Sequence, residues 1–396
     1  MTAAALGDPV PAFDEAWFAA RAQPGVRGLR AYDPGHDLVA LRRGVAATAG
    51  AAPLLELGSN ENAYGPSPAA RAAVMAQLNM LHRYPDPLGT DLKRALAMRH
   101  GVDANRIGLG NGSHELLMQL AQVFTGPGND VVLPRYGFAV FALAARAAGA
   151  TLRVVDALPR GALMPLGHDL DAIAAAITPA TRLVYLANPN NPTGTMTSRE
   201  EIARLHAGLR PDILFVLDQA YAEYLDAGED DGGMELAKSA TNILVTRTFS
   251  KIYGLAAERI GWGYASPAVI DILHRIRAPF NVTTAGQAAA VAAINDSAWV
   301  ESSRTHNARW REWLAGEVGA LSNHGLRVVP SKTNFLLILF DGKLTAEAAM
   351  KGLWDEGYAT RWLPGQGLPN GLRITIGTKA QTRAVAAKLR AMAEAA

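Results

Sequence analysis

The stretch LVYLANPNNPTG, residues 183–194, sets five apolar residues directly against a turn built of asparagine, proline and glycine. A short apolar run bounded by turn residues reads as a strand buried on both faces, the kind found in parallel sheets. Pro189 and Pro192 restrict the backbone and suppress helix, so that Asn191 can be held in a fixed pose at the strand end. Similar apolar runs stand at residues 131–133, 151–155, 213–217 and 243–246, separated by helical patterns. The spacing predicts helices over 68–80, 91–99 and 113–124, the last opened by Gly110-Asn111-Gly112-Ser113, a flexible turn with a capping hydroxyl. This alternation is that of an α/β protein with a largely parallel, helix-covered central sheet.

Beyond residue 285 the texture changes. A long helical stretch over 286–321 is followed by strands at 327–329 and 334–340, a helix near 345–356, a strand at 372–376 and a terminal helix. These predict a smaller α+β domain. The chain is thus divided into an arm contributing to the small domain (1–60), a large domain (61–285) and a small C-terminal domain (286–396). Apart from an Asp/Gly-rich loop at 226–233, no low-complexity linker or internal repeat is visible.

At 396 residues and 49% hydrophobic content the chain can build more than one core. Charged residues make up 19% and the net charge is +2, which points to small metabolites rather than nucleic acid or membrane surfaces as partners. Cysteine is absent, which removes disulfides, thiolate metal sites and a cysteine nucleophile, and no metal site is expected. Asp8, Asp14 and Glu15 interrupt the N-terminal region where a signal peptide needs a basic flank and an unbroken apolar run, so a cytoplasmic protein is expected.

Three strand ends carry chemistry. In TRTFSK, residues 246–251, Lys251 follows a buried strand and two hydroxyl residues, Thr248 and Ser250, with Arg259 eight positions further on. A lysine that binds a carbonyl compound needs a rigid support, and a nearby phosphate wants hydroxyls and a guanidinium fork. Taken alone, Ser-Lys at a strand end also describes an ordinary surface turn. In VLDQAY, residues 216–221, Asp218 ends a strand and Tyr221 follows, so a carboxylate and a phenol stand where parallel sheets bind ligands; an aspartate there can equally cap the next helix. The helix entry at Gly110 to His114 offers backbone N–H groups to an anion, and Tyr136 offers a flat face for stacking or for packing.

Together these residues resemble the fold-type I enzymes dependent on pyridoxal 5'-phosphate (PLP), and within them the class II aminotransferases of the histidinol-phosphate aminotransferase group. The resemblance runs from about Leu29 to Thr378. It is carried by SNENAYGPSP (59–68), YPD (84–86), GNGS (110–113), NNPTG (190–194), Asp218 with Tyr221, Ser250-Lys251 with Arg259, and LRITIGT (372–378). It implies PLP bound to Lys251 as a Schiff base, Asp218 on the pyridine nitrogen, Tyr221 and Asn191 on the 3-oxygen, and Tyr136 stacked on the ring. It implies Ser113, His114, Thr248, Ser250 and Arg259 around the phosphate, joined by Tyr64 from the other subunit of a homodimer. Arg373 matches the arginine that grips the substrate carboxylate, while Arg361, Tyr32 and Asn62 match substrate-contacting positions. The implied reaction is transfer of an amino group from histidinol phosphate to 2-oxoglutarate, in histidine biosynthesis.

Departures lie around the cofactor positions. Ala63 replaces a usual proline, His114 an acidic or amide residue and Gln219 a glutamate, and Glu258 sets an acid beside Arg259 where it could compete with a phosphate. Substrate choice is left open by them, so an aromatic amino-acid aminotransferase and an amino-acid-phosphate decarboxylase of the same fold remain alternatives. A non-catalytic PLP-sensing domain is set aside, because residues 1–55 are too short and too Pro/Gly-broken for a DNA-binding module.

Overall fold

The computed structural model describes residues 15–29, 54–226 and 228–396. Thirteen strands are present among them. β1 (Leu55–Glu56) precedes a run of seven that build one sheet: β2 (Ile107–Asn111), β3 (Asp130–Pro134), β4 (Thr151–Val155), β5 (Thr181–Ala187), β6 (Leu214–Asp218), β7 (Ile243–Thr248) and β8 (Ile260–Tyr264). Their order is β2-β8-β7-β6-β5-β3-β4. Within this sheet only β8 runs antiparallel to its neighbours, β2 and β7. Helices pack on both faces, and the strands are correspondingly apolar throughout: Val184, Phe215, Leu217 and Val245 face one core, and Leu183, Tyr185, Val216 and Leu244 the other.

β2 and β8 did not register as apolar runs because glycine interrupts them, in IGLGN and IGWGY. The glycines answer a packing demand. The helix Gly112–Phe124 lies so close to the sheet that a Cβ on Gly261 would sit 2.1 Å from the Ser113 nitrogen.

Several helix boundaries move from expectation for local reasons. The helix expected over 68–80 is α-helical at Pro68–Ala76 and ends in a 3-10 turn at Leu78–Met80. Ser113 is not a capping residue: Asn111 occupies the N-cap and makes no side-chain cap. The stretch expected as one helix over 286–321 is two, Thr284–Asn295 and Ser297–Gly319, because the Asp296 side chain accepts from the Trp299 N–H at 3.1 Å and starts a new helix.

The small sheet follows: β9 (Leu326–Val329), β10 (Phe335–Phe340), the short β11 (Tyr358–Ala359), β12 (Arg361–Leu363) and β13 (Leu368–Thr375). Four of them form an antiparallel sheet in the order β12-β13-β10-β9, and β11 pairs instead with β1. Leu336, Ile338, Leu372 and Ile374 meet Leu314, Val318, Val385 and Leu389 in a separate core, which Leu57 joins. The helix Thr284–Asn295 buries Ala289, Ala290, Ala293 and Ile294 in the large core instead. Val300, on the next helix, also joins the large core, and Trp310 further along that helix belongs to the small one.

Candidate active site

Parallel strands bring their C-terminal ends to one edge of the sheet, and β5, β6 and β7 end side by side with Ala187 beside Asp218 and Asp218 beside Thr246. The antiparallel β8 enters the sheet at that same edge, which delivers Arg259, the residue before it. Sheet direction thus converges Asp218, Lys251 and Arg259 on one crevice, with the fully buried Asn188 just after the end of β5.

Asp218 is 3% exposed, and its Oδ1 accepts from the Thr246 hydroxyl at 2.9 Å. Burial pushes its carboxyl up to about 6, against the pull of Thr246, the Ala220 N–H and Lys251. Lys251 follows β7 in a turn that closes at Gly254, where φ is +68° and a Cβ would lie 2.3 Å from the Gly65 carbonyl. Its amine donates to the Ser59 carbonyl at 3.1 Å. Burial, followed by the charges of Arg373 and Arg259, draws its pKa down to about 8. The Tyr221 hydroxyl accepts from Asn60 Nδ2 at 2.8 Å, and the ring meets Phe335 edge-on at 5.5 Å.

Next to these lies a positive cradle. The helix Gly112–Phe124 starts directly after β2; its Gly112 N–H donates to the Arg259 carbonyl at 2.9 Å, and the N–H groups of Ser113 and His114 follow in the first turn, where no intrahelical acceptor exists. A Cβ on Gly112 would stand 2.3 Å from Arg259 Nη2, which places the guanidinium at the helix start. Arg259 itself takes a left-handed φ of +54° and donates to Ser250 Oγ at 3.3 Å and to the Ala256 carbonyl at 3.0 Å. Burial and then Arg259 lower the pKa of His114. A guanidinium held at the positive end of a helix defines an anion site. Of the two hydroxyl residues, Ser250 faces this cradle; the Thr248 hydroxyl accepts from the Ser250 N–H and donates to the Ile260 carbonyl. Glu258 ends the 3-10 turn Ala256–Glu258, and the guanidinium of Arg259 is held by Ser250 and the Ala256 carbonyl.

A second cationic group comes from the small sheet. Arg373 on β13 is 7% exposed and donates to Asn191 Oδ1 and to the Gly58 carbonyl. Arg361 on β12 is its direct cross-strand partner. Like charges placed opposite each other weaken a sheet unless an anion joins them. Arg361 also lines a cavity of about 950 Å³ with Tyr136, Phe138 and Trp362. The Tyr136 carbonyl accepts from Asn190 Nδ2 at 2.8 Å, tying this tyrosine to the loop after β5.

Other expected residues stand elsewhere. Tyr32 lies outside the described residues. Tyr64 is exposed, and its hydroxyl is 3.0 Å from His306 Nδ1. The other ring nitrogen of His306 lies 2.9 Å from the Gly377 carbonyl and donates to it, so that in the neutral ring Nδ1 accepts from Tyr64. The Asn62 amide donates to the Ile252 carbonyl and to Ser303 Oγ and accepts from the Tyr64 N–H. Asn60, which sequence reasoning missed, is the asparagine at Tyr221; it is 2% exposed with φ +59°. Asparagine tolerates that left-handed conformation better than most residues, a signal that becomes visible only once the backbone is known.

The family model described as aminotransferase class I and II matches residues 52–389. The chain belongs to this family. The histidinol-phosphate aminotransferase of Sphingopyxis alaskensis is 55% identical to this aminotransferase over 372 residues, 93% of this chain and 96% of that protein. That of Erythrobacter litoralis is 50% identical over 372 residues, 94% and 97% of the two chains. Among solved structures, the histidinol-phosphate aminotransferase from Sinorhizobium meliloti in complex with pyridoxal-5'-phosphate superposes with a TM-score of 0.83 at 28% identity, covering 95% of this aminotransferase and 98% of that chain.

Proposed function

We propose that this aminotransferase moves the amino group of histidinol phosphate to 2-oxoglutarate, using pyridoxal 5'-phosphate held at Lys251. The observation that carries the substrate reading is the cross-strand pair Arg361 and Arg373. Two arginines at facing positions of paired strands would suit a phosphate dianion in one half-reaction and a dicarboxylate in the other, whereas a donor with a single carboxylate needs one of them. The 55% identity to a histidinol-phosphate aminotransferase supports the same choice.

The donor set fits the cofactor. Arg259, Ser250 and the backbone N–H groups of Ser113 and His114 would hold its phosphate dianion, with Thr248 bracing the Ser250 turn. Asp218 would face the cationic ring nitrogen, and its burial makes that charge partner valuable. Arg373 occupies Asn191 Oδ1, which leaves the Nδ2 of Asn191, together with the Tyr221 hydroxyl, for the ring 3-oxygen. Tyr136 would cover the ring.

When bound, the cofactor supplies a carbonyl carbon for amine exchange and a ring that withdraws electrons from the carbon next to the nitrogen. Lys251 does the rest of the proton handling. With a pKa drawn to about 8, its amine is a base matched to neutral pH, and it can take a proton at the substrate carbon and return it two atoms away, on the far side of the nitrogen. Asp218 stays charged against a cation and holds the ring orientation, and the arginines orient the anionic substrate so that the carbon–hydrogen bond points at Lys251.

We further propose a cytoplasmic homodimer in which Tyr64 reaches the phosphate of the partner's site, consistent with its exposure on its own subunit. The large domain would supply the cofactor site and the small domain the substrate arginines, with the N-terminal arm beside them.

The test is a donor series followed by the visible band of the bound cofactor. Histidinol phosphate should bleach it and 2-oxoglutarate restore it. Arg361→Ala should lower kcat/KM for histidinol phosphate and glutamate by roughly 100-fold while changing that for phenylalanine only a few-fold. Equal loss for all three donors refutes the dianion reading, and carbon dioxide release without keto-acid dependence makes the protein a decarboxylase.

A further inference from the structure

Behind Asp218 a buried polar network connects three strand ends, and none of its members reaches the crevice. Arg247, on β7, donates through Nε to Gln219 Oε1 at 2.9 Å and through Nη1 to Glu223 at 3.3 Å. That contact fixes the Gln219 amide with its nitrogen turned toward Asp231, to which it donates. Asp231 is 2% exposed and takes two more donors, the Gly233 N–H on Oδ1 at 3.0 Å and Asn188 Nδ2 on Oδ2 at 3.1 Å. Asn188, fully buried, is itself locked: its Oδ1 accepts from the Thr197 N–H at 2.8 Å, its Nδ2 also donates to the Thr197 carbonyl, and its backbone N–H donates to the Asp218 carbonyl. Three residues on stands Asn191.

Every group facing Asp231 is a donor, and two of the three are amides whose orientation is set elsewhere. The position therefore demands a group that accepts on both oxygens, which a carboxylate does and an amide does not. Gln219 joins Arg247 to Asp231 by accepting from one and donating to the other; a glutamate there would press two carboxylates together.

We propose that Asp231 is a positioning residue: acting through Asn188, it fixes the loop 188–194 and so the amide of Asn191 in the crevice. The consequence for catalysis rests on the reading that Asn191 faces the cofactor; the consequence for the loop does not.

The exchange of charge between positions 219 and 231 tests it. In Asp231→Asn the new carbonyl oxygen serves best on the side where Gln219 and Gly233 both donate, which turns the new NH2 against Asn188 and breaks that bond. In Gln219→Glu/Asp231→Asn the glutamate accepts from Arg247 and from the new amide, which turns the amide oxygen back to Asn188 at the loss of one bond from Gly233. Hydrogen exchange of peptides covering 188–194 is read in cofactor-free protein, and kcat and KM in loaded enzyme. Asp231→Asn should speed exchange there by about tenfold and lower kcat by 10- to 100-fold with little change in KM, because a small displacement of an orienting group acts on the rate. The double variant should lie nearer wild type on both readouts. Unchanged exchange in Asp231→Asn, or a double variant no nearer wild type than the single, overturns the proposal. If Asp231→Asn does not fold, a folded double variant with wild-type exchange supports the proposal and one with fast exchange overturns it. Asn191→Ala separates the two claims: should it leave kcat intact while Asp231→Asn still speeds exchange, the role of Asp231 on the loop stands and the reading of Asn191 fails.

Discussion

Lys251 and Asp218 are both shifted toward neutrality by burial, and the two shifts act on stability over different pH ranges. Asp218 rises from 3.8 to about 6, so between those values the native state binds the extra proton and the contribution of this group falls as pH rises. At pH 7 it is ionised in a buried site, at a cost of up to about 3 kcal/mol in protein without cofactor. Asp218→Asn should therefore raise the Tm of cofactor-free protein at pH 7, lose most of that advantage near pH 4, and weaken cofactor binding in the loaded enzyme; a lower Tm at pH 7 would show the carboxylate to be stabilising. Lys251 falls from 10.5 to about 8, so the unfolded state holds more protons between those values and stability grows with pH across that window. Lys251→Ala should remove the visible band of the bound cofactor and reduce turnover by several orders of magnitude, since both amine and base are lost. Persistence of the band would displace Lys251 from its role.

Strands and helices set these residues by how closely they can approach. The helix Gly112–Phe124 reaches the sheet because Gly261 has no side chain, and the guanidinium of Arg259 reaches the helix start because Gly112 has none. The two substitutions should differ. In Gly112→Ala the new methyl meets the end of a flexible side chain, but φ is +71°, so a penalty of about 1 kcal/mol with cofactor affinity reduced roughly tenfold is expected from titration of cofactor-free protein. In Gly261→Ala the methyl meets backbone at Ser113, and helix and strand must separate. Calorimetry should show a loss of at least several kcal/mol or no folded protein. The apolar runs of β5, β6 and β7 were legible because burial on both faces leaves a continuous signature. β2 and β8 were not, since the glycines that allow close approach also break the run.

Among the exposed large apolar residues of the described chain, Leu78, Leu81, Tyr84 and Leu88 lie close together in sequence, and Tyr84 stacks on the exposed Phe280 at 4.4 Å; others, such as Met98, Val154 and Leu163, stand apart. A subunit interface of the proposed homodimer would cover such a surface, and the same stretch follows Tyr64. Sedimentation should give a dimer, and Leu81→Asp should shift it toward monomer and reduce cofactor retention together. Mixed dimers test whether the site is shared. A dimer of one Lys251→Ala and one Tyr64→Phe chain has one intact site if Tyr64 serves its partner, so about half the wild-type activity is expected per dimer. If Tyr64 serves its own subunit, no site is intact and activity falls to about half that of the Tyr64→Phe homodimer.

The amino-acid sequence by itself determined the fold class and the positions of Lys251, Asp218, Tyr221 and Arg259. These are functional groups at the ends of short apolar runs, and periodicity and turn chemistry are local properties that survive without a partner. Tertiary structure decided what depends on distant segments meeting. Asn60 lies 161 residues from Tyr221, whose hydroxyl it reaches. Arg361 faces Arg373 only because β12 and β13 pair in that register. Asp231, in a loop that looked like mere Asp/Gly-rich connection, is buried against Asn188 from 43 residues away. A single strand ending tells what a residue could do; which side chain it meets is set by how the sheet brings the other strand ends alongside it.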